Sequence, residues 1–299
     1  MKHVTRRQAL LAAAAAVPLQ RAFGEQTSRI AVEAYIFQQY AQRSHRKLGD
    51  VLDEVVPMAR QAGFRNIELN AEFFAPELRE RTLALVKGSG LRMPSVYSGG
   101  TLHEPEAAKA TAARALELAK ICQPFGCIAV VTNADPKKGG AEKTDAELAI
   151  QADEMNRMGR LLQANGFELR IHNHTPEMVN GAREWHYTLQ HTDPQLVRLC
   201  LDLDWVHQGD QDPLGLLKLA GKRVREIHVR NSREKLWLED VEDGDVDYRA
   251  IAEYLSRSGL RPLIVVELAY REKTVVTRPL EQDLARSRQY TERIFGLKA

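Results

Sequence analysis

Residues 145–174 read DAELAIQADEMNRMGRLLQANGFELRIHNH, and the join inside this stretch decides the fold. Leu148, Ala152, Met155, Met158 and Leu162 recur every three or four positions, the spacing of an amphipathic helix. Gly166 ends that pattern, as a helix C-terminus prefers. FELRIHNH (167–174) then reads as a strand with His172 and His174 at its end. Helix, glycine and strand in this order make one turn of a repeating unit.

The unit recurs on both sides. Strands are predicted at RIAVEAY (29–35), RNIELN (65–70), RMPSVYS (92–98) and GCIAVVTN (126–133), then at FELRIHNH. VRLCLDLDW (197–205), VREIHVRN (224–231) and PLIVVELAY (262–270) complete eight. Amphipathic segments such as 47–63, 76–90, 106–122 and 247–259 lie between them. The period suits βα units, and eight of them predict a single-domain (β/α)8 TIM barrel over residues 25–299. An open doubly wound sheet is the alternative, but no glycine-rich phosphate loop follows the first strand. The charged segment 233–247, which holds Trp237, is expected as a loop over the active-site face.

The first 24 residues carry Arg6-Arg7 before the apolar run from Ala9 to Leu19, then end in small residues, a signal peptide of the twin-arginine kind. Export would place the mature chain in the periplasm. Its removal takes the 42 basic residues to 38 against 40 acidic ones, so the net charge changes from +2 to −2. That balance gives no pull toward nucleic acid, and no later run is long enough to span a membrane. The three cysteines, Cys122, Cys127 and Cys200, show no metal-type spacing. Buried free thiols are expected, with a Cys122–Cys127 bridge as the alternative.

A barrel builds its chemistry at the C-terminal ends of its strands. Four consecutive strands end there in His172 and His174, Asp202 and Asp204, His228 and Arg230, and Glu267. Buried carboxylates need a partner, and mixed imidazole and carboxylate donors suit one divalent metal ion: Mn2+, Co2+, Mg2+, Fe2+ or Zn2+.

These stretches, GFELRIHNHTPE (166–177), LDLDW (201–205), IHVRN (227–231) and VVE (265–267), resemble the xylose-isomerase-like sugar phosphate isomerase/epimerase family. GFRNIELN (63–70) and DVEDGDVDYRAI (240–251) add to it, and the resemblance covers essentially all of the mature chain. It implies a metal held by His172, Asp202, His228 and Glu267, with Asp202 favoured over Asp204. The family lysine that often follows the seventh-strand histidine is Arg230 here. Epimerases of the family usually carry Glu on the fifth strand, whereas this chain has His172, as members resembling inosose dehydratase do.

The implied chemistry is proton removal next to a carbonyl through a metal-stabilised enediolate. Glu267 and Glu177 are the candidate bases. Glu177 also reads as a carboxylate at the first turn of the next helix. Glu68, His103, His174 and Arg230 are the expected contacts to a small sugar or keto-sugar, with Tyr97 and Trp205 as further lining. Three functions fit: a sugar isomerase or epimerase, a lyase, dehydratase or hydrolase on an inosose-like keto-sugar or 3-keto-glycoside, and a non-catalytic periplasmic carbohydrate-binding barrel. A DNA-repair endonuclease of this fold would want a basic groove. Homo-oligomerisation is left open.

Overall fold

The computed structural model describes residues 28–299. The predicted leader and cleavage site lie outside these residues. The strands are β1 (Ile30–Glu33), β2 (Ile67–Asn70), β3 (Ser95–Tyr97), β4 (Ala129–Thr132), β5 (Glu168–His172), β6 (Val197–Asp202), β7 (Val224–Val229) and β10 (Leu263–Val266). All pair in parallel with their neighbours, and β10 pairs with both β7 and β1. The sheet therefore closes into an eight-stranded barrel, not an open wound sheet. Each of the eight predicted strands falls on one of these.

Helices α1 (Tyr35–Arg43), α2 (Leu48–Gln61), α3 (Arg79–Gly88), α4 (Pro105–Cys122) and α5 (Asp145–Ala164) lie in the first half. The second half adds α6 (Thr175–His191), α7 (Leu203–Gln208), α8 (Pro213–Ala220), α9 (Tyr248–Ser258) and α10 (Leu280–Phe295). Their local sequence explains their ends. Thr144 caps α5 by accepting from the Glu147 N–H, and the Glu147 carboxylate reaches back to the Thr144 N–H. Gly259 closes α9 in the left-handed region at φ 71°. No helix among the described residues is long and apolar enough to cross a membrane.

All eight strands are shorter than the sequence suggested, and at β5 and β6 the reason is local. Asp202 ends β6 and caps α7, its Oδ1 accepting from the Trp205 N–H at 2.8 Å. Asp204 therefore sits in the first turn of a helix and is not in phase with Asp202. His174 likewise precedes α6 as its cap residue and does not lie on β5. Segment 233–247 is more ordered than a bare loop. It opens with the hairpin β8 (Ser232–Arg233) and β9 (Leu236–Trp237), whose turn residues Glu234 and Lys235 have φ of 51° and 60°. The Asp245 carboxylate accepts from both of their N–H groups, at 3.1 and 2.8 Å, and holds that turn.

The main apolar core fills the layer between strands and helices, with Phe37, Leu52, Phe64, Ile67, Leu69 and Leu284 fully buried. A separate small cluster, Ala31, Leu263 and Val265, lies in the barrel interior, and Ala129 and Val131 share that face. Most of the rest of that interior is polar. Cys122, Cys127 and Cys200 are free and buried, so the bridge is not formed.

Candidate functional site

The polar interior begins below the mouth. Arg170 on β5 donates to Glu226 on β7 at 2.7 Å and to Glu168 at 2.9 Å. Ser95 on β3 donates to Glu226 at 3.0 Å and also to Glu68 on β2. Burial opposes ionisation of Glu226, but His228 and Arg170 hold it down to about 2. Burial and the Glu226 charge push Glu68 up to about 7. Glu68 Oε1 lies 3.1 Å from His228 Nε2. Glu68 thus supports His228 from beneath and does not line the open mouth.

One layer higher, the ends of β5, β6, β7 and β10 converge. One donor atom each from His172, Asp202, His228 and Glu267 lie within 4.8 Å of one another. His228 Nδ1 is 2.5 Å from Glu267 Oε2, and His172 Nε2 is 3.4 Å from the same oxygen and 3.8 Å from Asp202 Oδ2. Arg230 donates to Asp202 at 2.5 Å and to Glu267 at 2.8 Å. Burial works against the Glu267 carboxylate, yet Arg230 and the two histidines hold it well below the usual range. His172 Nε2 is buried and makes no hydrogen bond. Its other nitrogen, Nδ1, lies 3.5 Å from the Tyr97 hydroxyl, which donates to Asn133 at 3.0 Å.

Above these groups opens a cavity of about 680 Å³. Glu267, Arg230, His174, Tyr97 and Trp205 reach its wall, as expected from the sequence. Burial and the neighbouring His172 lower His174 to about 3, so its imidazole is neutral. Trp237 from β9 also lines the wall, with Arg230 4.6 Å from its ring centre. Its indole N–H donates to Asp204 at 2.7 Å, and Ser232 donates to the same carboxylate at 2.8 Å. Asp204 is thereby spent on holding the hairpin.

Besides Glu68, two predicted site residues lie away from the cavity wall. Glu177 is buried and accepts from the His174 N–H at 2.9 Å, the helix-cap role that the sequence also allowed. Burial and Glu184 raise it to about 7. His103 is buried beside Glu104, outside the cavity wall. Sequence reasoning missed Glu33, which ends β1 at the cavity wall and accepts from the Tyr35 N–H at 2.6 Å. Burial, with Glu267 and Glu68 nearby, pushes Glu33 well up. Its signal was present: it ends an apolar strand, as Glu267 nearly does.

Known proteins share this fold. The chain is 28% identical over 142 residues to the inosose dehydratase of Salmonella agona, a match covering 42% of this chain and 47% of that protein. It thus spans about half the length of that relative. A longer match, 25% over 275 residues, joins it to the inosose dehydratase of Bacillus licheniformis, with 82% and 89% covered. The crystal structure of a sugar phosphate isomerase/epimerase from Parabacteroides distasonis has TM-score 0.68 at 19% identity, covering 92% of this chain and 98% of that one. D-psicose 3-epimerase from Clostridium cellulolyticum, solved with D-tagatose, has TM-score 0.64 at 14% identity, covering 90% and 99%. At these identities the structures speak for the fold. Residues 56–294 match the family described as xylose isomerase-like TIM barrel, and the chain belongs to that family.

Proposed function

We propose that this barrel removes a proton next to the carbonyl of a sugar or keto-sugar, as a divalent-metal-dependent isomerase or epimerase. The observation that carries this is the meeting of His172, Asp202, His228 and Glu267 in a buried cluster that reaches an open cavity through Glu267. The donor set fits a metal ion. Two imidazoles and two carboxylates converge in a buried place, and His172 Nε2 is left without a hydrogen-bond partner. Bound there, Mn2+, Co2+, Mg2+, Fe2+ or Zn2+ would supply Lewis-acid stabilisation of negative charge on neighbouring substrate oxygens.

The chain's own groups do the rest. Glu267 faces the cavity and accepts the proton. Arg230 orients Glu267 and Asp202, and its cationic edge at the wall attracts substrate oxygens. His174 offers a neutral imidazole to a hydroxyl. Glu33, on the next strand round, is the carboxyl placed to return a proton. Glu177 acts through the backbone of His174.

A second reading has one observation behind it. His172 stands where a second carboxylate would serve a symmetric epimerisation, which favours elimination from a keto-sugar after the same first step. The names of the inosose dehydratases support that version.

NMR in D2O separates the two. Ketoses and 3-keto-glucosides are incubated with metal-loaded protein. Deuterium at one carbon with all fragments retained supports isomerisation; loss of water or an aglycone supports elimination. Sugar binding with neither outcome returns the barrel to a binding role. His228→Ala should abolish metal retention, and unchanged metal content would refute the ligand set. The Arg6-Arg7 leader supports a periplasmic location, which fractionation of the full chain tests.

A further inference from the structure

The cavity is larger than one sugar ring. A hexose displaces on the order of six waters, or about 180 Å³ at about 30 Å³ each. The cavity holds about 680 Å³. A ring at Glu267 leaves most of that volume free.

Part of the wall lies along β10, β1 and β2, which are neighbours in the barrel. Tyr35 follows β1 directly. It is 40% exposed and lines the cavity, while Ala34, Ile36 and Phe37 around it are fully buried. An aromatic ring kept open at a cavity lip offers an apolar face, which suits the C–H face of a sugar. Beside it, the Gln38 amide donates to Asn70 at 3.0 Å, and Glu72 completes that wall. These are amide and carboxylate groups, partners for hydroxyls.

The charge of the wall argues against a phosphate. Its acids are Glu33, Glu72, Asp135 and Glu267, and its cations are Arg114 and Arg230. Arg230 is committed to Asp202 and Glu267, and Arg114 donates to the Gly99 carbonyl at 2.5 Å. One of the two cations is thus offset by carboxylates, and the acids of the wall outnumber the cations, which disfavours a dianion.

We infer that the substrate is a neutral, non-phosphorylated glycoside of at least two rings, whose second ring rests on Tyr35 beside Gln38, Asn70 and Glu72. This rests on the proton-abstraction reading above for the first ring. It makes the β1–β2 wall the part of the site that selects substrate.

Three substrates test it on the metal-loaded full chain: 3-keto-glucose, 3-keto-cellobiose and 3-keto-glucose 6-phosphate. The wild type should prefer the two-ring compound and reject the phosphate. Tyr35→Ala should lower the ratio of kcat/KM for 3-keto-cellobiose to that for 3-keto-glucose by about tenfold. Glu72→Gln, a milder change, should shift the same ratio in the same direction. Preference for the phosphate, or a ratio untouched by both variants, overturns the inference. Saturation-transfer NMR with cellobiose reads the subsite without chemistry. Signal on cellobiose that Tyr35→Ala removes, with no turnover of any keto-sugar, upholds the subsite and sinks the proposed reaction. Turnover of 3-keto-glucose with no cellobiose signal does the reverse.

Discussion

The strands of this barrel have two faces with opposite chemistry. Outward residues such as Ile67, Leu69, Leu199 and Ile227 meet the helices in one continuous hydrocarbon layer. Inward residues meet each other, and most of them are polar: Glu68, Ser95, Arg170, Glu226, His172 and His228. Apolar burial is non-directional and roughly proportional to area, so the outer face holds the fold together. A buried charge is stable only with a partner in place, so the inner face holds a specific arrangement. The difference teaches where stability and function reside in the same short strands.

Substitutions that cut one face only test this division. On the outer face, Leu69→Ala should destabilise by about 2–5 kcal/mol, read by urea denaturation. Metal bound per folded molecule should stay the same. A loss of metal from the still-folded fraction would show that the two faces are coupled. On the inner face, Arg170→Met takes the guanidinium from buried Glu226 and leaves it only Ser95 and His228, at a similar cost of about 3–5 kcal/mol. Adding Glu226→Gln removes the charge and should restore most of that loss. No recovery in the double variant would mean that Arg170 stabilises by packing alone.

The outer face was legible in the sequence and the inner face only in part. Helical spacing in 145–166 and apolar runs such as Leu263–Val266 follow directly from burial against one layer. Of the inner face, His172, Asp202, His228 and Glu267 could be read because each ends an apolar run on consecutive strands. Depth could not be read. Glu33 and Glu68 are register partners, yet Glu33 reaches the cavity wall and Glu68 lies below among Ser95 and Glu226. Barrel strands tilt, so register partners on neighbouring strands sit at different heights. Asp204 was misread for a different reason. The side chain of Asp202 starts a helix, and strand phase stops there.

Glu177 gives a smaller effect with a defined pH window. Its folded pKa, about 7, lies above that of the unfolded chain, because burial and Glu184 favour the protonated form. It therefore contributes stability that is fully present below about pH 4.5 and is lost as pH rises toward 7. The slope follows because the unfolded state gives up this proton first. Glu177→Gln keeps the cap to the His174 N–H and removes the titration. Between pH 4.5 and 7 the variant should gain up to about 3 kcal/mol relative to the wild type, by denaturation at each pH. A constant difference across that range would place the ionisation outside this window.

The smallest expected effect lies where the two faces of the argument meet, at Tyr97. Its hydroxyl donates to Asn133 and lies 3.5 Å from His172 Nδ1, the nitrogen turned away from Asp202 and Glu267. A polar partner there favours the ring orientation that leaves Nε2 facing the carboxylates. Tyr97→Phe keeps the ring and its edge contact to His172, with centroids 5.4 Å apart, and removes only the hydroxyl. Stability should fall by about 1 kcal/mol, and metal affinity by about tenfold in competition with a chromogenic chelator. An unchanged affinity would assign the orientation of His172 to packing against His174 and His228, each 4.8 Å away between ring centres. The site would then be set by aromatic contact, and the polar interior would matter beneath His228 and not beside His172.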